Sequence, residues 1–400
     1  MSFSHYNVMS IPTPDGLLMQ VSGRITAENA PQLEEDINQI RAEAPDAPII
    51  IDADDLEYIS SAGLRVVMRL LKSSGNLTLR NAHPEVYDVF EMTGLTEIMD
   101  VRRAPRTISV DGLEVVGRGG QGTVYRLDED KVVKLYDNNF SLDAIERERR
   151  YARTALVAGI STALPYDTVR CGDKLGVVFE HAGEQTLARA YEQNPQQFNE
   201  LTQRYVQFVR DFHAAEVPAG TFKSVSAKSH RYLDGLASYC SPEEIYLLHS
   251  LADAIPQCAT LVHGDLHPGN IMVSGDELLL IDMPDISQGP TQIDIVNIFR
   301  DIVSAPQNSP EAIEVSMGIP ADLIKKIGGA FFSTYTGITD PAQLGQYFQG
   351  LGLIYALLVV FVVGSGGMGT AYIPRVVENL LRGVVIPNEQ ALRGMLANMQ

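Results

Sequence analysis

The chain has 400 residues, 45% of them hydrophobic, and a formal net charge of −19 at pH 7. This length predicts two or three compact units, and the acidic balance disfavours nucleic acid as a partner. The three cysteines are scattered without a CxxC pair, so we expect a reducing cytoplasmic location with neither a disulfide framework nor a structural metal.

The first hundred residues alternate between strand and helix patterns. Short apolar runs rich in β-branched residues at 47–53 and 76–82 predict strands, and helical apolar spacing occurs between and after them. Strands that alternate with helices of this length predict a small α/β domain, which we place at residues 1–106.

One segment of this domain, IDADDLEYISSAGLRVVMRLL at residues 51–71, passes from a strand through a carboxylate-rich turn into a helix. The helix is predicted to begin at Ser60 or Ser61, where a serine usually caps free backbone N–H groups. The same position also suits a phosphoserine, because a helix N-terminus stabilises added negative charge.

This stretch resembles the STAS domain of anti-sigma-factor antagonists over about residues 1–103, through the acidic turn 52–55 and the run YISSAGL at 58–64. In that family a partner kinase phosphorylates the serine at the position of Ser61, and the modification switches binding. The resemblance therefore implies an anti-sigma-factor-like or STAS protein partner. Ser60 and Ala62 depart from the Asp and the Ser or Thr of the best-studied members.

A polar, proline-containing linker at 102–112 separates this domain from a second one, which we place at residues 107–400. A G-x-G-x-x-G pattern follows the linker and allows two interpretations. In a dinucleotide fold the third glycine would open a helix, whereas the alternating segments on both sides of DED (128–130) predict a β-hairpin.

The hairpin interpretation, which we favour, places the glycines in a loop between strands, where backbone N–H groups can approach the phosphates of a nucleotide. The predicted nucleotide-binding residues of this loop are Gly117, Gly119, Gly120, Gly122 and Val124.

Lys134 lies among apolar residues in the predicted strand VVKLY (132–136). It could face outward on an alternating strand, but an inward ammonium group would need a partner, because a buried cation is costly alone. The helix predicted at 142–159 offers Glu146 and Glu148 on different faces. We favour Glu148, which would fix Lys134 against the α- and β-phosphates of ATP, and Glu146 remains open.

The segment LVHGDLHPGNIMV at 261–273 has apolar ends that predict short strands around a polar loop. Asp265 could accept a proton from a substrate hydroxyl. Asn270 offers a neutral oxygen to Mg²⁺, and Asp282, at the end of the strand LLLID, offers a charged one. Together with the glycine loop and the lysine–glutamate pair upstream, these residues predict phosphoryl transfer.

These motifs resemble the aminoglycoside phosphotransferase and choline kinase branch of the protein-kinase-like fold over roughly residues 112–400. The residues that carry the resemblance are the His-Gly-Asp of 263–265, the His-Pro-Gly-Asn of 267–270, and Ile281 and Asp282, followed by Asp285 and Asp294. The resemblance implies a bilobal α+β fold, with an N-lobe at about 112–182 and a C-lobe at about 183–400.

The same resemblance implies ATP and Mg²⁺ as cofactors and a small-molecule hydroxyl as acceptor. It makes Asp265 the catalytic base and Asn270 and Asp282 the metal ligands, and it places adenine against the backbone between Glu180 and Ala182. Asp285 and Asp294 could hold the loop, bind substrate or cap a helix. His263 and His267 are expected to form hydrogen bonds within the loop.

Three functions remain open: a small-molecule kinase regulated by its STAS domain, a protein kinase that acts on a STAS serine such as Ser61, and a non-catalytic interaction protein that binds nucleotide. The apolar run 351–364 is shorter than the ~20 residues that cross a bilayer, so we expect a buried core helix and no membrane contact.

Overall fold

The computed structural model describes residues 6–13, 16–42, 44–45, 47–119, 121–137, 140–366 and 369–399. Gly120 of the predicted glycine loop lies outside these ranges. The chain forms two compact units, Met1–Thr107 and Ile108–Gln400.

A six-stranded mixed sheet is the centre of the first unit. Its strands are β1 (Tyr6–Thr13), β2 (Gly16–Ile25), β3 (Ile49–Asp52), β4 (Leu56–Ile59), β5 (Leu77–Ala82) and β6 (Asp100–Arg103). The order is β1-β2-β3-β5-β6, with β4 paired to β2, and only the β1–β2 pair is antiparallel. The strands predicted at 47–53 and 76–82 are therefore confirmed.

Three helices and a short 3₁₀ turn connect these strands, which confirms the predicted α/β class. They are α1 (Ala30–Ala42), α2 (Ser61–Ser74), α3 (Pro84–Met92) and the turn Leu95–Glu97. Each helix buries one apolar face in a core that it shares with the sheet, as Leu33 of α1, Val67 of α2 and Phe90 of α3 illustrate. A two-residue strand, β7 (Arg106–Thr107), ends this unit.

The second unit begins with a lobe built on antiparallel strands. They are β8 (Val115–Gly119), β9 (Gly122–Arg126), β10 (Lys131–Tyr136), β11 (Pro165–Cys171) and β12 (Lys174–Glu180), adjacent in the order β11-β12-β10-β9-β8. The chain turns back after Gly119 and again between β9 and β10, so the predicted hairpin is confirmed and the dinucleotide fold is excluded. Helix α4 (Leu142–Val157) follows β10, and the Ser141 side chain caps its first turn.

The rest of the unit is mainly helical, which completes the implied two-lobed α+β arrangement. Its helices are α5 (Leu187–Gln193), α6 (Phe198–Ala214), α7 (Val225–Leu233), α8 (Pro242–Asp253), α9 (Gln292–Phe299), α10 (Ala305–Asn308), α11 (Pro310–Met317), α12 (Ala321–Thr336), α13 (Pro341–Val363), α14 (Ile373–Val376) and α15 (Glu389–Ala397). Two π-helical segments, Arg300–Ser304 and Val377–Val385, interrupt the series.

Short strands before α5 and between α8 and α9 carry the polar loops. They are β13 (Gln185–Thr186), β14 (Leu261–Val262), β15 (Ile271–Ser274), β16 (Glu277–Leu280) and β17 (Ser287–Gln288), in a three-stranded sheet β13-β15-β16 and a pair β14-β17. Single 3₁₀ turns occupy Pro195–Gln197, Asp234–Leu236, Pro268–Asn270, Thr370–Tyr372 and Ile386–Asn388.

Helix α13 contains most of the apolar run predicted as a core helix. Its buried side chains, among them Leu357 and Phe361, belong to the main hydrophobic core of the helical lobe. The helix is long and apolar enough to cross a membrane, with a mean hydropathy of 1.9 in its most apolar window, 44% of which is buried. A core helix of a soluble protein passes the same test, so this is weak evidence for membrane contact.

Substitution of two adjacent glycines of α12 tests how tightly this helix packs on the π-helical segment Arg300–Ser304. A Cβ atom at Gly328 would lie 2.3 Å from the carbonyl oxygen of Ile302, whereas one at Gly329 meets no described atom within 4 Å. We expect Gly328→Ala to lower the free energy of unfolding by about 1–3 kcal/mol. Gly329→Ala should instead raise it by about 0.5–1 kcal/mol, because alanine favours the helix. Urea denaturation of both variants checks this, and equal signs would contradict it.

Candidate functional site

Lys134 is held at the centre of the β-sheet lobe by partners from three other segments. Its strand, β10, lies between β9 and β12, and its Nζ donates to Glu148 Oε1 at 3.1 Å and to Asp282 Oδ1 at 2.7 Å. A third bond, 3.2 Å long, runs to Oε1 of Gln121 in the glycine loop. The inward orientation of Lys134 is therefore confirmed.

The ion pair with Glu148 is also confirmed, and the alternative partner is occupied elsewhere. Lys134 and Glu148 expose only 14% and 4% of their side chains. Glu146 instead accepts hydrogen bonds from Arg149, at 2.9 Å, and from Thr168. The two glutamates lie on different faces of α4, and only the face of Glu148 is turned toward β10.

The charges around Lys134 keep it protonated despite its burial. Burial by itself would lower the pKa of Lys134, but the attraction of the Asp282 and Glu148 carboxylates outweighs this effect and raises the pKa above its ordinary value. The Lys134 side chain therefore carries a positive charge at neutral pH.

A buried carboxylate fixes the loop between β14 and β15 that contains His263, Gly264 and Asp265, here called the HGD loop. Asp294 of α9, with 0% of its surface exposed, accepts hydrogen bonds from the backbone N–H groups of His263 at 2.8 Å and Gly264 at 2.7 Å. Of the three roles left open for Asp294, the structure therefore selects the one of holding the loop. Asp285 instead binds the ammonium group of Lys228, with 2.7 Å to its backbone oxygen and 3.3 Å to its carboxylate.

The two histidines of this loop form the expected local hydrogen bonds. His263 Nδ1 accepts from the backbone N–H of Asp265 at 3.3 Å, and His267 Nδ1 accepts from that of Gly269 at 3.0 Å. The second bond begins the 3₁₀ turn that brings Asn270 back toward Asp265.

The Asp265 carboxylate has neighbours at both oxygens. Oδ2 accepts from Asn270 Nδ2 at 2.9 Å and lies 3.4 Å from His267 Nε2, while Oδ1 accepts from Arg300 Nη2 at 2.7 Å. Burial alone would raise the pKa of Asp265, but the hydrogen bond from His267 and the charge of Arg300 lower it below the ordinary range. Asp265 is therefore ionised at neutral pH and can accept a hydrogen bond from a hydroxyl group.

Arg300 is a residue of this site that the sequence analysis missed. It lies 35 residues after Asp265, in a π-helical segment after α9, and no local motif surrounds it. A helical arginine followed by an aspartate is ordinary on a protein surface, so the pattern gives no signal of this contact.

Asn270 and Asp282 suit a hard cation by their donor chemistry. Asn270 donates its amide N–H₂ to Asp265, which leaves its amide oxygen as a possible ligand. Asp282 follows β16 with φ at +63°, an uncommon backbone conformation for a residue other than glycine. One amide oxygen and one carboxylate match Mg²⁺, which usually takes only one or two protein side chains and completes its shell with phosphates and water.

Within the described part of the chain, no group of three or more His, Cys, Asp or Glu side chains could hold a metal ion.

A cavity of about 670 Å³ brings most of the predicted residues together. Its lining includes Gly117, Gly119, Gly122, Val124, Lys134, Glu148, Glu180, Ala182, Asn270 and Asp282. Asp265 adjoins it through its hydrogen bond to Asn270. The polar side chains at 134, 270 and 282 thus line one cleft, and that of Asp265 lies beside it.

The chain between the two lobes borders the cavity at Glu180 and Ala182. The backbone N–H of Glu180 donates to Leu164 at 2.9 Å, and that of His181 donates to Asp130 at 2.8 Å. These bonds fix the course of the segment, and the contact with adenine stays a prediction.

In the first unit, the two candidate serines have different environments. The hydroxyl of Ser60 caps α2 by accepting from the backbone N–H of Gly63 at 3.3 Å. Ser61 is the first residue of the helix, and it is exposed. Capping is therefore the role of Ser60, and phosphorylation of Ser61 stays a prediction.

Comparison with protein families matches both units. Residues 8–108 match the STAS domain, and residues 112–317, just over half of the chain, match the phosphotransferase enzyme family. A protein assigned as an anti-sigma factor antagonist, BtrV of Bordetella bronchiseptica, is 36% identical over 92 residues, which span 22% of this chain and 78% of that protein.

Similar solved structures include two kinases. An amicoumacin kinase in complex with AMP-PNP, Ca²⁺ and Ami is 17% identical, with a TM-score of 0.42, over 73% of this chain and 93% of that chain. The ADP-bound aminoglycoside phosphotransferase APH(2'')-Ib is 17% identical, with a TM-score of 0.44, over 68% of this chain and 92% of that chain. These similarities identify no substrate for this chain.

Gly119 and Gly122, at the turn between β8 and β9, allow the structural role of the glycine loop and its proposed binding role to be tested separately. A Cβ atom at Gly122 would lie 2.0 Å from the carbonyl oxygen of Leu135, whereas one at Gly119 meets no described atom within 4 Å. We expect Gly122→Ala to destabilise the protein by about 1–3 kcal/mol. Gly119→Ala should leave stability unchanged but weaken binding of a non-hydrolysable ATP analogue about tenfold, or about 1.4 kcal/mol, by obstructing backbone approach to phosphate.

Thermal unfolding and isothermal titration calorimetry of the two variants check these expectations. Unchanged nucleotide affinity in Gly119→Ala would contradict a phosphate-binding role for the loop.

Proposed function

Because the chain belongs to the phosphotransferase enzyme family and carries an N-terminal STAS domain, we propose that its second unit transfers the γ-phosphate of ATP to a hydroxyl group of a small molecule. The observation that carries this proposal is the convergence of Lys134, Asn270 and Asp282 on one cavity, with Asp265 hydrogen-bonded at its edge. Phosphoryl transfer needs a cation, metal ligands and a hydroxyl-orienting carboxylate in this kind of arrangement.

In the proposed reaction Lys134, oriented by Glu148, binds the α- and β-phosphates. The triphosphate would compete with Asp282 for the ammonium group, because both are anions that seek the same donor. Asn270 and Asp282 would then hold Mg²⁺, which neutralises phosphate charge when bound.

The proposed role of Asp265 is to orient the acceptor hydroxyl and receive its proton. The hydroxyl oxygen forms a bond to the γ-phosphorus, the bond from that phosphorus to the bridging oxygen of ADP breaks, and the proton passes to the Asp265 carboxylate. A carboxylate with a lowered pKa is a weak base, but it suits a loose transition state, in which positioning contributes more than early proton removal.

The cellular location, the acceptor class and the role of the STAS domain are proposed from composition and domain content. Three free cysteines, Cys171, Cys240 and Cys258, support a reducing cytoplasmic location. The net charge of −19 modestly favours cationic acceptors, such as amino sugars or amino alcohols. We propose that the STAS domain regulates or docks the enzyme through an anti-sigma-factor-like or STAS protein partner.

An acceptor screen with Mg-ATP and the full chain tests the proposed reaction. We expect ADP formation to rise with a hydroxylated amine acceptor. Asp265→Asn should lower the transfer rate by about 10²–10⁴-fold, because it removes the proton acceptor while preserving side-chain shape. Calorimetry with an ATP analogue should show unchanged nucleotide binding in this variant. Full transfer by Asp265→Asn would refute the role of the base, and inactivity of the wild type towards every acceptor would favour the non-catalytic alternative.

A second candidate acceptor is Ser61 of the same chain or of another STAS protein. It is favoured by the exposure of Ser61 at the start of α2, next to a cap that Ser60 already supplies. A phosphate there would gain about 0.3–1 kcal/mol from the helix dipole.

Incubation with Mg-ATP followed by intact-mass measurement tests this candidate. We expect one added phosphate in the wild type and in Ser60→Ala, which keeps Ser61, and none in Ser61→Ala. Phosphate addition that persists in Ser61→Ala would contradict the assignment.

A further inference from the structure

The two oxygens of the Asp265 carboxylate are held from different parts of the fold. Oδ2 contacts residues of its own loop, with Asn270 Nδ2 at 2.9 Å and His267 Nε2 at 3.4 Å. Oδ1 receives the guanidinium Nη2 of Arg300 at 2.7 Å from a helix 35 residues downstream. A carboxylate that is bonded at both oxygens to separate elements cannot rotate without breaking one of these contacts.

Arg300 is itself anchored by its neighbour in the chain. Its Nε donates to Asp301 Oδ1 at 2.6 Å, and its Nη2 donates to Asp301 Oδ2 at 2.7 Å, so the pair is bidentate. The side chain of Asp301 is only 7% exposed, and that of Arg300 is 31% exposed. The carboxylate of Asp301 thus balances the guanidinium charge and fixes the plane from which Nη2 reaches Asp265.

Arg300 and Asp301 lie where the helix after α9 departs from α-helical geometry. Successive residues of a regular α-helix point about 100° apart and do not face each other. Arg300 and Asp301 open a π-helical segment, Arg300–Ser304, and their side chains are nevertheless hydrogen-bonded to each other. Single π turns within helices are rare and frequently occur at functional sites.

Packing holds this segment in place. Asp301 and Ile302 are buried, and the carbonyl oxygen of Ile302 lies so close to Gly328 of α12 that a Cβ atom there would approach it to 2.3 Å. The anchor of Arg300 therefore belongs to the rigid core of the helical lobe. Arg300 is not among the described residues that line the 670 Å³ cavity, so it lies apart from the residues proposed to bind the nucleotide.

We propose that Arg300 is a positioning residue for phosphoryl transfer: anchored on Asp301, it holds Oδ1 of Asp265 so that the carboxylate presents a fixed lone pair to the acceptor hydroxyl. This inference rests on the proposed function of Asp265. Arg300 acts through Asp265, so its loss affects turnover and leaves the binding of Mg-ATP intact.

The test compares Arg300→Gln, Arg300→Lys and a matched control in the full chain. The control is Arg382→Gln, because Arg382 also forms a bidentate pair, donating to Glu244 at 2.8 and 3.1 Å in the same unit. ADP release from Mg-ATP is measured with the best acceptor of the screen and with water as acceptor. The Kd of a non-hydrolysable ATP analogue and the unfolding midpoint are measured on the same preparations.

We expect Arg300→Gln to lower kcat by about 10–100-fold, since small misplacements of reacting groups have effects of this size. The KM for Mg-ATP and the analogue Kd should stay within about twofold of the wild type, well below the tenfold change that 1.4 kcal/mol represents. Arg300→Lys should recover part of kcat, because lysine restores the charge without the planar fork. Arg382→Gln should match the wild type in kcat and KM.

Three outcomes would overturn the inference. Wild-type protein that releases no ADP with any acceptor or with water would refute the proposed function, and the inference with it. An active wild type with equal kcat in Arg300→Gln and Arg382→Gln would refute the inference alone. If both Arg300 variants lose analogue binding or unfold early, Arg300 has a structural role, and the positioning role is rejected.

Discussion

The ammonium group of Lys134 is the interaction on which the cleft depends. It connects the central strand β10 to Glu148 of the following helix α4 and to Asp282, 148 residues downstream beyond β16. Leaving such a cation unpaired in the interior would cost several kcal/mol, so its carboxylate partners stabilise the folded cleft.

A second set of charges organises the other side of the cleft. Asp294 holds the HGD loop by its backbone, and the Arg300–Asp301 pair reaches the side chain of Asp265. In the first case the buried carboxylate of Asp294 fixes the loop backbone, and in the second the buried carboxylate of Asp301 fixes the guanidinium group of Arg300. Phosphoryl transfer depends mainly on positioning, so such rigid supports matter more here than a strongly basic side chain would. The STAS domain uses a simpler device, in which Ser60 caps α2 and leaves Ser61 exposed at its first position.

Local sequence patterns were sufficient to predict many of the strands and helices and several residues of the candidate site. The strands at 47–53 and 76–82, the hairpin around DED and the core helix at 351–364 follow from spacing and composition, because each element buries a face that its own sequence defines. Lys134 was recognisable because a charged residue within an apolar strand demands a partner, and the helix that follows offered one. The HGD loop was recognisable because its polar residues are contiguous.

The contacts between distant segments were decided only by the tertiary structure. Sequence determined which side chains could serve as cation, base and metal ligands, and even the choice of Glu148 over Glu146 needed the orientation of α4 against β10 to settle it. The approach of Asp282 to Lys134, the support of Asp294 and the reach of Arg300 to Asp265 span tens of residues. No sequence periodicity encodes these contacts or the π-helical segment that carries Arg300 and Asp301, because they arise only where separately folded elements pack against each other.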